Sequence, residues 1–235
     1  MVDVRRGGER ARTRGDGLLT RHSFSFGDHY DPTNVGLAAL VAHNDDRVEP
    51  GHGYDPHPHA DLEIVTWVLA GSLVHTDSTG RTTTVGAGEV QWLGAGSGVR
   101  HSERNDEPGA AVPTRFVQMW LRPDEPALPP AYDVRPAGHG GRGGALVPLA
   151  SGIRGLDAPV PVRTAGAALH LARLGPGEAV GLPDAPHLHV FVARGQVDLE
   201  GAGRLVEGDA ARFTGEGGPR LTGVAAAEVL VWQLG

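Results

Sequence analysis

The sequence predicts an all-β protein built as two tandem barrels. Glycine (36) and proline (18) make up nearly a quarter of the 235 residues and are spread along the whole chain. Short Val, Leu, Thr and Trp runs lie between these turn formers, and long helical periodicity is scarce. The third observation is a diverged internal repeat.

In the first half the runs at 37–43, 62–69, 82–85, 90–93 and 114–121 read as strands. In the second half those at 168–174, 189–193, 197–200, 210–213 and 228–234 do the same. The repeat pairs EIVTWVLAGSLVH with HLHVFVARGQVDL, each a strand, a turn at Gly71 or Gly195, and a second strand. Farther on, VGAGEVQWLGAG pairs with LVEGDAARFTGEG, matching Gly88-Glu89 with Gly208-Asp209. Residues 123–144, PDEPALPPAYDVRPAGHGGRGG, lack apolar periodicity and read as a linker. The expected units are therefore 1–122, a linker at 123–144, and 145–235.

Composition narrows the chemistry. There is no cysteine, and all 21 basic residues are arginine. Thiolate sites, disulfides and lysine Schiff bases are excluded, so a metal would need His, Asp or Glu ligands. The net charge of −7 disfavours nucleic-acid binding. The arginine-rich start, six arginines against three acids over 2–21, reads as a solvated terminal segment. No apolar run approaches 18 residues, so no membrane helix is expected. The start has no apolar signal core, and glycines and charges follow Arg5-Arg6; a cytoplasmic location is the expectation.

Two pairs of residues carry the chemistry: His57 and His59 in GYDPHPHADLE, and His101 and Glu103 in GSGVRHSERN. On a strand, i and i+2 share one face. Two such pairs from neighbouring strands could aim three imidazoles and a carboxylate at one point. An octahedral metal held this way keeps two positions open for substrate and O2 or water. Glu63 rivals Glu103. If the strand stays regular it faces the same way as His59, as ligand, as an acceptor orienting a histidine, or as a base. Counting from Gly195 and Gly208, the second-copy counterparts of the four residues are Gly181, Pro183, Leu221 and Gly223, none a side-chain ligand. His187 and His189 of that copy fall opposite Glu63 and Val65 and read as surface or packing histidines.

The first segment resembles the cupin first motif. The second resembles the cupin second motif with Gly94 in place of the usual proline and two extra residues before His101. More narrowly, RHSFSFGDHYDP, the HNDDRVEPGHGYDPHPHADLEIVTWVLAGSLVHTDSTG segment, GAGSGVRHSERN and FVQMWLRPDEP resemble bacterial pirins over about residues 21–126. The resemblance implies a bicupin of two jelly-roll (double-stranded β-helix) barrels with one metal site, in the first barrel. It implies His57, His59, His101 and Glu103 as ligands, with Glu63 beside them, and Fe(II) as the metal; the His-rich shell by itself would also accept Zn, Ni, Cu or Mn. The activity it implies is that of a quercetin 2,3-dioxygenase acting on a phenolic substrate with O2, Glu103 or Glu63 taking the hydroxyl proton. The alternative it carries is a metal-binding regulatory module that acts through a protein partner without turnover. Trp67, Trp92, Phe116 and Met119 are expected either to line the phenol pocket or to be plain core.

Overall fold

The computed structural model describes residues 1–107, 109–138, 144–215 and 217–235. In chain order the strands of the first half are β1 (Val2–Arg5), β2 (Ala11–Gly15), β3 (Leu18–His22), β4 (Leu40–Val48), β5 (Gly53–His59), β6 (Glu63–Ala70), β7 (Ser72–Asp77), β8 (Thr82–Gly86), β9 (Glu89–Gly94), β10 (Val99–Arg104), β11 (Thr114–Leu121) and β12 (Ala131–Pro136). Those of the second half are β13 (Leu146–Ser151), β14 (Val160–Pro161), β15 (Ala168–Leu174), β16 (Ala179–Gly181), β17 (His187–Arg194), β18 (Gln196–Leu199), β19 (Gly203–Val206), β20 (Ala210–Thr214), β21 (Arg220–Gly223) and β22 (Ala227–Leu234). A single 3₁₀ turn, Gly7–Glu9, is the one helical element among the described residues.

These strands form two seven-stranded and two four-stranded sheets. The first barrel pairs the order β12-β9-β6-β11-β4-β3-β2 with β5-β10-β7-β8. The second pairs β1-β20-β17-β22-β15-β13-β14 with β16-β21-β18-β19. The repeat is therefore a repeat of topology: β9-β6-β11-β4 in one copy corresponds to β20-β17-β22-β15 in the other.

Two segments depart from the reading of the sequence. Within the stretch expected to be a linker, β12 pairs antiparallel with β9, Ala131 opposite Gly94 through Pro136 opposite Glu89. Tyr132 and Val134 pack onto apolar clusters of the first barrel, an alternation too short to stand out among prolines. Residues 139–143 of that stretch lie outside the described residues. At the chain start, β1 runs back to pair with β20 of the second barrel, Val2 opposite Phe213. The arginine-rich start is thus partly built in, and Arg10 is only 7% exposed. Each added strand covers an edge that would otherwise present unpaired backbone groups.

Side-chain alternation sorts residues into two layers. Outward residues of the large sheets, among them Trp67, Met119, Phe191 and Trp232, form one apolar cluster that joins the two barrels. Inward residues of the second barrel form a continuous apolar interior. The first barrel's interior is split instead. Val68, Leu73, Val85 and Phe116 cluster at one level, and Ile64, Leu93 and Val99 at another. A layer of buried polar groups, Thr66, His75, Gln91, His101, Glu103 and Gln118, accompanies these two clusters. Pairing positions show the substitution directly. Thr66 lies opposite Gln118 and Gln91, as Val190 lies opposite Val231 and Ala211 in the second copy.

The same pairing refines the repeat register. Glu103 lies opposite His75 as Leu221 lies opposite Leu199. Leu221 is then the counterpart of Glu103, and Pro219 that of His101, two positions earlier than counting from the glycines gives. The two extra residues before His101 account for the shift. Neither counterpart is a side-chain metal ligand.

Candidate metal centre

Strand β10 is central to the site because it pairs on both sides. His101 faces His57 of β5, and an irregularity between His101 and Glu103 brings Glu103 opposite Tyr54. On its other edge Glu103 faces His75 of β7. The ring centroids of His57, His59 and His101 form a near-equilateral triangle of 4.8, 4.6 and 5.0 Å. Their candidate ligand atoms all lie within 4.8 Å of one another.

The protonation pattern suits a cation between them. His57 Nδ1 donates to the Asp55 carbonyl at 2.8 Å, which leaves Nε2 as a lone pair. His59 Nε2 and His101 Nε2 are buried and have no hydrogen-bond partner among the described residues. Such orphaned atoms are uncommon in a folded interior and fit a ligand that the polypeptide does not supply. Burial lowers the His59 and His101 pKa values to about 4, so both rings are neutral near pH 7.

Glu103 is 1% exposed and caged by two amides. Gln91 Nε2 donates to one oxygen at 2.9 Å and Gln118 Nε2 to the other at 2.6 Å. Each amide is itself oriented: Tyr132 Oη donates to the Gln91 carbonyl and Trp120 Nε1 to that of Gln118. Burial works to raise the Glu103 pKa. The neighbouring His101 and His75 and the two amides outweigh it, and the carboxyl titrates below its usual range. It also forms a second candidate ligand group, with His75 and His101. His101 belongs to both groups and so connects Glu103 to the imidazole triangle.

Glu63 is placed elsewhere. The chain turns at Asp61, whose φ is +50°, and β5 and β6 enter different sheets. The regular strand that would align Glu63 with His59 does not exist. Its carboxylate accepts from Trp92 Nε1 at 2.7 Å and from the Arg163 backbone N–H at 2.8 Å, tying the two barrels together. It belongs to neither ligand group among the described residues. Trp67, Trp92, Phe116 and Met119 are buried core side chains. In the second copy His187 is partly exposed at the strand start, and His189 is fully buried against His43, ring centroids 4.5 Å apart.

Reading the sequence missed His75, Asp77, Gln91, Gln118, Trp120 and Tyr132. The first two carried a signal: His75 and Asp77 in SLVHTD have the same i, i+2 spacing as the flagged pairs. Trp120 packs edge-on against His59 at 4.9 Å. A cavity of about 490 Å³ opens beside His59, walled by Pro58, Ala60, Gly98, Val99 and Arg100. It is a shallow depression open to solvent, and its walls are mainly apolar.

Twin jelly-roll barrels with a histidine-rich ligand group in the first define a bicupin. A family model described as Pirin matches residues 6–121. A Mycobacterium tuberculosis protein provisionally named quercetin 2,3-dioxygenase is 48% identical over 233 residues, covering 99% of this chain and 95% of its own. A pirin-like protein of Caulobacter vibrioides is 37% identical over 218 residues, 91% of each chain. The solved structure of the bacterial pirin YhhW from Escherichia coli in complex with nickel(II) has a TM-score of 0.90 at 30% identity, covering 100% of this chain and 99% of that one. The chain belongs to the pirin family.

Proposed function

We propose that this protein is a metal-dependent dioxygenase of the quercetin 2,3-dioxygenase type, holding one divalent metal, Fe(II), on His57, His59, His101 and Glu103. The observation that carries the metal reading is the triangle of imidazoles with the buried, unpartnered Nε2 atoms of His59 and His101. YhhW, solved with nickel(II), and relatives named for quercetin 2,3-dioxygenase support it. Bound there, the metal supplies Lewis-acid polarisation and a meeting point for a phenolate oxygen and O2.

The chain's own residues supply position and proton handling. His57 offers its lone pair because the Asp55 carbonyl holds its other nitrogen. Val99, which shares the inward face of β10 with His101, and Trp120, edge-on to His59, would give a flat phenol apolar contacts beside the triangle. Of the two carboxylates named from sequence, Glu103 is the proton acceptor within this group. Its low pKa makes it a weak base, suited to a hydroxyl already acidified by a neighbouring cation. Glu63 is engaged by Trp92 and the Arg163 N–H and takes no part.

Anaerobic loading with Fe(II), followed by quercetin and O2, should give ring-opened product and carbon monoxide with matching O2 uptake. The same treatment of His57→Ala and His101→Ala should give none. Wild-type protein that binds Fe(II) stoichiometrically yet gives no product above these controls would overturn the dioxygenase reading and favour a metal-bound regulatory module.

A further inference from the structure

We infer that His75 and Asp77 are positioning residues that fix the tautomer of His101 and so direct its Nε2 lone pair toward His57 and His59. The inference rests on the metal-site reading above, but its logic starts at the far end of the relay. Asp77 Oδ1 accepts from the Thr79 N–H at 2.8 Å and the Thr79 hydroxyl at 2.5 Å, and Arg81 Nη1 lies 3.6 Å from Oδ2. These donors pin the carboxylate in its ionised form, which can only accept hydrogen bonds. Its Oδ2 is 3.3 Å from His75 Nε2, so the His75 proton sits on Nε2.

His75 is fully buried, which favours the neutral ring with one N–H. With that proton on Nε2, His75 Nδ1 is an acceptor. The atom it faces, at 3.4 Å, is His101 Nδ1. Two acceptors cannot pair, so His101 carries its proton on Nδ1. Its Nε2 is then a bare lone pair, and this is the atom that is buried without a protein partner. The relay is held rigid from the side. Tyr132 stacks on His75, centroids 4.5 Å apart at 28°, and the Arg81 guanidinium lies 4.8 Å from the Tyr132 ring centre.

His75 lies close enough to His101 and Glu103 to look like a ligand itself. Its Nδ1 is committed to His101 and its Nε2 to Asp77, so it acts through His101 instead. Partners of this kind behind a ligand orient it and raise its basicity, and removing them weakens metal affinity by roughly 10- to 100-fold.

The test has two readouts that do not depend on turnover. ¹⁵N histidine spectra of the metal-free wild-type protein should show His101 as the Nδ1–H tautomer. Competition between the protein and a chelator for Zn(II) should show roughly 10- to 100-fold weaker binding for His75→Phe and for Asp77→Asn. His75→Phe keeps a ring against Tyr132, and thermal melting reports whether each variant is folded. A wild-type His101 in the Nε2–H form, or a folded His75→Phe with wild-type Zn(II) affinity, overturns the inference. If His75→Phe does not fold, the wild-type spectrum and Asp77→Asn decide the matter. His57→Ala separates the two levels: its loss of Zn(II) supports the metal site independently of the relay, and its full retention would sink the site itself.

Discussion

At the scale of single residues, the site depends on groups that hold other groups still. Glu103 is buried as an anion beside His101 and His75, and Gln91 and Gln118 each give it an N–H. Replacing Gln118 by Leu removes one donor and strands the Trp120 N–H. Stability in urea should fall by about 1–3 kcal/mol, the usual cost of an unsatisfied buried polar group. Glu63→Gln tests the reassigned carboxylate. It should leave bound metal at wild-type stoichiometry by elemental analysis while lowering the melting temperature, because the contact it weakens joins the two barrels. Loss of the metal in that variant would return Glu63 to the site. The convergence of His57, His59 and His101 was legible from spacing because residues at i and i+2 share a strand face. The expected alignment of Glu63 with His59 fails because the turn at Asp61 breaks the period, which no count of residues reveals.

At the scale of elements, the repeated strand–turn–strand unit pivots on Gly71 and Gly195, with φ of +72° and +79°. A Cβ on Gly195 would sit 2.0 Å from the Ala226 carbonyl oxygen, a backbone atom with no easy retreat. Gly195→Ala should therefore cost about 1–3 kcal/mol, the range for a strained backbone residue, and more if the clash is not relieved. Equilibrium unfolding against wild type measures it. The ten strands expected from apolar runs are all present, with ends moved by a few residues. Strands such as β2, β3 and β12 were hidden by charge, proline or brevity, while β5 and β10 were signalled by ligand-type spacing rather than by an apolar run. Their stability comes from a partner strand rather than from their own composition.

At the scale of the whole molecule, the apolar cluster that joins the barrels makes them one unit energetically. Trp67 Nε1 donates to Glu228 at 2.8 Å and Arg194 to the Leu69 carbonyl at 2.6 Å across the same junction. Thermal unfolding should show one transition with coincident near- and far-ultraviolet signals; two separated transitions would contradict this coupling. The junction also carries an acid sensitivity. His43 and His189 are fully buried, and burial first, with Arg10 and Arg212 nearby, depresses both pKa values well below 6.5. Below pH 6.5 the unfolded chain takes up protons that the folded one refuses, so stability falls as pH drops through that value. Asp46, raised to about 7 chiefly by burial, acts the opposite way between pH 4 and 7. Comparing His189→Leu with wild type in urea therefore isolates the histidine contribution. The variant should lose less stability between pH 7 and 5, and an unchanged slope would refute the assignment.

The sequence alone determined the all-β repeat, and its spacing marked the first copy as the one carrying the paired side chains His57, His59, His101 and Glu103. These follow from local rules: side-chain period, turn chemistry and residue type. Only the tertiary structure decided that Glu63 turns into the inter-barrel contact with Trp92 and Arg163, that β1 crosses to the second barrel, and that His75 and Asp77 stand behind His101. Those facts depend on sheet pairing between segments far apart in the chain, and cross-strand register is set by the packing of whole faces. It is also why one barrel holds a polar layer of Thr66, Gln91 and Gln118 where the other packs Val190, Ala211 and Val231.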